Sequence, residues 1–298
     1  MFESFFGFKK TPFSDNPDGK QIFASEGWRQ VKTRLEFLTQ HPGAGLLTGE
    51  VGAGKSTAAR VFTVALNPNL HKILYVHFTN GSALDLLRQI ALTLDLEPAH
   101  FRGDNALSIL APLVRQISAA IVHLNQSKKQ HPILICDEAH LLPHPALEQL
   151  PLLLNFDNAL STLAPMDSSR YLTLLLIGQP LLRRTLGARV ESALSLQIHE
   201  ALRQRIGVHY HLEGLTREEL DVYLTQQLKT AGVAQPLFDE MARQGLLAQE
   251  LKAHYQVTKG IPRKVNKLAM TALRLAAERK VQMVDEAVLL DATAEAFL

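Results

Sequence analysis

Gly49-Glu50-Val51-Gly52-Ala53-Gly54-Lys55-Ser56 fits the pattern G-x-x-x-x-G-K-S and follows the apolar pair Leu46-Leu47 closely. The spacing demands a strand ending near Gly49, a glycine-rich turn, and a helix opening near Ser56. Chemistry explains the residue types. Glycines let consecutive backbone N–H groups face inward with no side chain between them and an anion, and the helix N-terminus adds its positive dipole. Lys55 is placed to pair with β- and γ-phosphate oxygens, the Ser56 hydroxyl to ligate Mg²⁺, and Thr57 to add a hydroxyl contact further back. Gly49, Glu50, Val51, Gly52, Ala53, Gly54, Lys55, Ser56 and Thr57 are therefore the expected binding residues for ATP with Mg²⁺.

Further along, Pro132-Ile133-Leu134-Ile135-Cys136-Asp137-Glu138-Ala139-His140 reads as an apolar strand ending in two acids, a Walker B pattern. Asp137 is placed to hold the Mg²⁺ shell and Glu138 to act as the catalytic base on the attacking water. Two neighbouring acids also suit an ordinary helix start, so their weight comes from the phosphate loop that precedes them. Asp137-Glu138-Ala139-His140 spells the name of a helicase class with two nucleotide-binding lobes. One phosphate loop in 298 residues does not fit that class.

Five apolar strands are predicted, at Leu46–Thr48, Ile73–Phe78, Ile133–Cys136, Leu172–Ile177 and Val208–Leu212. Helical patterns such as Leu84–Leu94 and Leu113–Leu124 lie between them, so the alternation predicts an α/β fold with a parallel sheet covered on both faces. Beyond Leu212 only helices follow. The first opens on the capping box Thr216-Arg217-Glu218-Glu219, with others from about Phe238, from Pro262 and from Asp285. The predicted domains are residues 1–212, α/β with an N-terminal extension, and residues 213–298, a small all-α lid. Asn155–Ser169, rich in Ser, Asn, Asp and Pro, is expected to be an exposed loop.

The formal charge of +2 neither requires nor excludes a nucleic-acid partner. A single cysteine, Cys136, sits in the Walker B strand as core packing and suits a reducing compartment. With no signal peptide or transmembrane stretch predicted, the expected location is cytoplasmic and off the membrane. His209-Tyr210-His211 puts two rings on one strand face, but no third ligand is apparent for a metal.

These motifs, in this order and over nearly the whole chain, resemble the AAA+ ATPases. The resemblance implies further roles. Gln179, after the strand Thr173–Gly178, stands at the sensor 1 position. Arg205, or as second choice Arg203, lies where the family carries the arginine finger that completes a neighbour's site in trans. Gly260-Ile261-Pro262-Arg263 is similar to the sensor 2 motif, which implies that Arg263 folds over the phosphates. More narrowly, Phe6-Gly7-Phe8, Thr11-Pro12-Phe13 and Ile177-Gly178-Gln179-Pro180 look like the ExeA family. Secretion-linked members continue into a membrane span and a peptidoglycan-binding domain, whereas compact members resemble the TnsC and TniB ATPases of transposition. The chain ends after the lid, so the first expectation is a transposition regulator. It would form a ring or helical filament of identical subunits on duplex DNA and recruit a transposase, together with a target-selector protein. The alternative is the ATPase subunit of a secretion or cell-envelope assembly system acting on protein partners. A basic stretch through Lys259, Arg263, Lys264, Lys267, Arg274, Arg279 and Lys280, opposed in sequence only by Glu278, is the candidate DNA surface.

Overall fold

The computed structural model of the chain describes residues 2–14, 22–97, 106–154, 171–187, 200–247 and 258–297. The expected loop Asn155–Ser169 lies outside them. The strands are β1 (Ala44–Gly49), β2 (His71–His77), β3 (His131–Asp137), β4 (Thr173–Gly178) and β5 (Ile206–Leu212). In the first part of the chain the helices are α1 (Phe2–Phe6), α2 (Glu26–Gln40), α3 (Lys55–Ala65), α4 (Ala83–Thr93), α5 (Ala106–Gln126), α6 (His144–Leu154) and α7 (Pro180–Gly187). Beyond β5 come α8 (Arg217–Thr230), α9 (Glu240–Leu247), α10 (Pro262–Glu278) and α11 (Glu286–Ala296).

Two compact units result. One gathers residues 30–49 and 55–211, the other residues 1–29, 50–54 and 212–298. The first holds the five-stranded parallel sheet in the order β2-β3-β4-β1-β5. Position in that order accounts for the sequence of each strand. β1 and β4 are buried at every residue and β3 at all but its first, which is why Leu46-Leu47, Ile133–Cys136 and Thr173–Ile177 read as unbroken apolar runs. The edge strands β2 and β5 mix buried and partly exposed residues, so they admit Tyr75, His209 and His211.

In the second unit, Thr216 caps α8 through the expected capping box with Glu219. The same Glu219 carboxylate also accepts the Glu26 N–H at 2.6 Å, a long-range bond with no local sequence signal. Pro262 opens α10 and Asp285 caps α11, as the sequence indicated. One difference concerns the N-terminal segment, which the sequence placed with the α/β part. Phe6 and Phe13 are buried instead among Leu220, Tyr223, Leu268 and Leu273 of the helical unit, and the Lys9 N–H donates to the Ala231 carbonyl at 2.8 Å. The aromatic residues of the first turn seek the apolar faces that α8 and α10 present, a pairing that chain order does not reveal.

At the entry ends of β2 and β3, His71 pairs in register with His131, and His131 Nε2 lies 2.9 Å from the Thr173 hydroxyl. Burial, with the neighbouring His71 adding to it, lowers the His131 pKa to about 4. An unfolded histidine titrates near 6.5, so as pH falls the unfolded chain takes up this proton first. The contribution of the neutral ring is therefore complete above pH ~6.5 and is lost progressively as pH drops toward ~4. His131→Gln, which keeps a polar partner for Thr173, is expected to show a shallower fall of the thermal midpoint between about pH 7 and about pH 4. Equal slopes for the variant and the parent would contradict this assignment.

Candidate active site

Because the strands are parallel, their C-terminal ends share one edge of the sheet, where α/β folds bind ligands. β1 ends at Gly49, β3 at Asp137, β4 at Gly178 and β2 at His77. Thr48 pairs with Gly178, Cys136 with Leu176 and His77 with Asp137. With β4 between β1 and β3, Asp137 stands two strand spacings, about 10 Å, from the end of β1. That gap can take a terminal phosphate and a cation.

The phosphate loop has the conformation its glycines permit. Gly52 and Gly54 adopt φ of 85° and 101°, the left-handed region closed to most side chains. At Gly52 a Cβ would stand 2.5 Å from the Cβ of Arg263, and the Arg263 N–H donates to the Gly52 carbonyl at 3.3 Å. Inside the turn, the Ala53 N–H donates to the Glu50 carbonyl, and Val51 is exposed at its apex. Lys55, 7% exposed, donates from Nζ to the Gly49 carbonyl at 2.9 Å. Ser56 and Thr57 follow on the first turn of α3. A glycine turn leading into a buried ammonium has the chemistry to take a polyphosphate, and the oxygen donors Ser56 and Asp137 have the chemistry to take Mg²⁺.

Asp137 is held before any ligand arrives. Its side chain is 3% exposed. Oδ1 accepts the Glu138 N–H at 2.9 Å, and Oδ2 accepts the Tyr75 hydroxyl at 2.6 Å. Two carboxylate oxygens offer about four lone-pair directions, so capacity for a cation remains. Burial and the bond to Asp137 push the Tyr75 pKa well above the usual tyrosine range, so the phenol remains a donor. The sequence did not single out Tyr75. Its only signal is the register of β2 on β3, a relation between strands that lie far apart in the chain.

Glu138 leaves the strand in a left-handed conformation, φ 55° and ψ 33°, and starts a 3₁₀ turn over Ala139–Leu141. For a residue other than glycine this is uncommon backbone. The turn brings His140 back beneath Glu138, Nδ1 lying 3.3 Å from Glu138 Oε2, and Nε2 lies 2.7 Å from the Gln179 amide nitrogen. The structure thus unites Glu138 and Gln179 through His140, a residue to which the sequence assigned no role. Cys136, just upstream, is fully buried, and burial raises its thiol pKa to about 12, in keeping with core packing.

Arg203 and Arg205 lie on helical residues 200–205, which lead into β5. Arg203 forms a two-pronged ion pair with Glu200 at 2.8 and 2.6 Å, whereas Arg205 donates from Nη1 to the Ala201 carbonyl. The entry end of a parallel strand is the edge away from the chain's own phosphate loop. At the other end of β5, His211 Nδ1 lies 3.0 Å from the Thr48 hydroxyl and the Arg34 guanidinium covers the Tyr210 ring. Among the described residues no cluster of three or more metal-ligating side chains occurs.

In the helical unit, Gly260 has φ 68°, and its Cβ would stand 2.1 Å from the Leu215 carbonyl oxygen. That close approach positions the turn from which Arg263 departs on α10. Two of the seven cations of the basic stretch are ion-paired, and a third lies over a ring. Arg274 pairs with both Glu278 and Glu295, Arg279 pairs with Asp291, and Lys267 lies over the Phe297 ring. Glu295 and Asp291 belong to α11 and close on α10 only in the folded packing. Among the described residues no helix is long and apolar enough to cross a membrane.

With this geometry in hand, residues 38–186 match the family model described as AAA domain. The chain is 33% identical over 275 residues to general secretion pathway protein A of Aeromonas hydrophila, covering 92% of this chain and 44% of that protein. It therefore spans less than half of that relative's length. Among solved structures, Cdc6p from Pyrobaculum aerophilum superposes with a TM-score of 0.63 at 15% identity, over 99% of this chain and 71% of that one. A Walker-type ATPase of Pyrococcus abyssi gives 0.61 at 17% identity, over 95% and 75%. The Aeropyrum pernix Orc2 protein in ADPNP–ADP complexes gives 0.58 at 19% identity, over 97% and 72%. At these identities the structures speak for the fold alone.

Proposed function

The chain belongs to the AAA domain family and is a nucleotide-binding ATPase; from that premise we propose that it powers a secretion or cell-envelope assembly system, acting on protein partners. The carrying observation is the 33% identity, over 92% of this chain, to a general secretion pathway protein. It moves the weight from the transposition regulator, the first expectation from sequence, to its alternative.

Within this reading Lys55 binds the phosphates, Ser56 and Asp137 would hold Mg²⁺, and Arg263, against Gly52, lies beside the loop as a nucleotide sensor. When bound, the ion neutralises charge that develops on the transferring phosphoryl group. Glu138 accepts a proton from the attacking water, and Gln179 orients that water or the terminal phosphate. Arg205, on the edge away from its own phosphate loop, serves a neighbouring subunit as finger, so identical subunits assemble to hydrolyse.

Binding of the purified protein with ATP to random-sequence duplex DNA, over a salt series, separates the two readings. The secretion reading expects no ATP-dependent retention at ~50 mM salt. Tight binding that weakens by roughly 10³-fold or more toward ~200 mM salt would restore the transposition regulator.

A further inference from the structure

The His140 side chain is 7% exposed, yet its Nδ1 is one of three buried side-chain polar atoms without an aligned hydrogen-bond partner among the described residues. The polar group that faces it is the Glu138 carboxylate, close at 3.3 Å but off the hydrogen-bond line. On the other side of the ring, Nε2 lies 2.7 Å from the Gln179 amide nitrogen. Three backbone features converge to put the ring there. Glu138 takes a left-handed conformation, the chain then tightens into a 3₁₀ turn, and Gly178 lets that turn approach the end of β4. A Cβ on Gly178 would meet the His140 backbone nitrogen at 3.1 Å and its Cβ at 3.4 Å.

Chemistry fixes the direction of the two contacts. An ionised carboxylate only accepts, so the ring nitrogen facing Glu138 must be the one that carries hydrogen. With the amide nitrogen placed on Nε2, that ring nitrogen is the acceptor and the Gln179 N–H donates to it. The result is a single direction: the Gln179 N–H donates to His140 Nε2, and the His140 Nδ1–H faces Glu138 Oε2 without closing a hydrogen bond to it.

We propose that His140 is a positioning residue that ties the orientation of the Glu138 carboxylate to that of the Gln179 amide, so that the two groups addressing the attacking water are set together. This rests on the reading of Glu138 as base and Gln179 as sensor. The off-line Nδ1 contact leaves the Glu138 end adjustable, and a small rotation of the carboxylate aligns it. His140 itself touches neither water nor phosphate in this scheme.

Two measurements test the proposal. In ¹⁵N spectra of the full chain without nucleotide, the His140 signal, identified by its loss in His140→Gln, is expected to report the neutral Nδ1–H tautomer. His140→Ala is expected to lower kcat about 10- to 100-fold, as loss of an orienting group does, while nucleotide affinity stays within about threefold and KM changes little. His140→Gln, whose amide can accept from one neighbour and donate to the other, is expected to recover most of the rate. An Nε2–H tautomer, a His140→Ala protein hydrolysing at the parent rate, or two variants equally slow would each overturn the proposal. Glu138→Gln run alongside separates the failures. If it too hydrolyses at the parent rate, the underlying assignment of the base falls, whereas an inactive Glu138→Gln beside an unaffected His140→Ala sinks only the role of His140.

Discussion

Lys55→Ala is expected to weaken ATP binding by up to about 100-fold, the scale of a buried charge-assisted hydrogen bond worth up to about 3 kcal/mol. Lys55 is set for that role by burial at 7% exposure and by the Gly49 carbonyl, which accepts from its ammonium at 2.9 Å. A flexible surface lysine would first have to be ordered on binding; this one is already held at the base of the loop, so little rotamer entropy is left to lose. Titration with a fluorescent nucleotide, with the ligand-free thermal midpoint recorded for both proteins, reads the effect and separates it from loss of the fold. Near-parent affinity in a folded variant would remove the phosphate loop from the account.

The second large effect is expected at Glu138. Glu138→Gln keeps size and hydrogen-bonding reach but cannot take a proton, so hydrolysis should fall about 10²- to 10⁴-fold, the usual worth of a general base. Nucleotide affinity should hold, because the phosphates are bound by the loop and Lys55. Retained affinity with blocked turnover would populate the ATP-bound assembly, visible as a larger species by light scattering in the presence of ATP. A variant that turned over at the parent rate would assign the base elsewhere. Asp137 would be the poorer candidate, since each of its oxygens already accepts one hydrogen bond, from the Tyr75 hydroxyl or the Glu138 N–H, and its remaining lone pairs are assigned to the cation.

Much of the α/β unit was legible because its signals are local. A fully buried parallel strand must be apolar at every position, so Ile133–Cys136 and Leu172–Ile177 announced themselves, and the edge strands, with Tyr75 or His209 and His211 among apolar residues, were found with less certain ends. The N-terminal helix, the long-range bond of Glu219 to Glu26 and the charge pairing between α10 and α11 were not legible. Each depends on which residue arrives from elsewhere. In the sequence Arg274 has only Glu278 near it and Arg279 has no acid at helical spacing ahead of it, because Glu295 and Asp291 come from another helix and only packing decides that they meet.

The division at the site follows the same line. By itself the sequence determined the phosphate loop, the acid pair, the order of strands and helices and the start of α10, because glycine freedom, helix capping and apolar periodicity act over a few residues. Tertiary structure alone decided that the Tyr75 hydroxyl meets Asp137, that Arg263 closes on Gly52, and that His140 lies between Glu138 and Gln179. The first comes from strand register, the second from the packing of α10 on the loop, and the third from a left-handed residue at the end of β3. Register is set by the whole sheet at once, and a side chain's partner across it cannot be read from the chain that carries it.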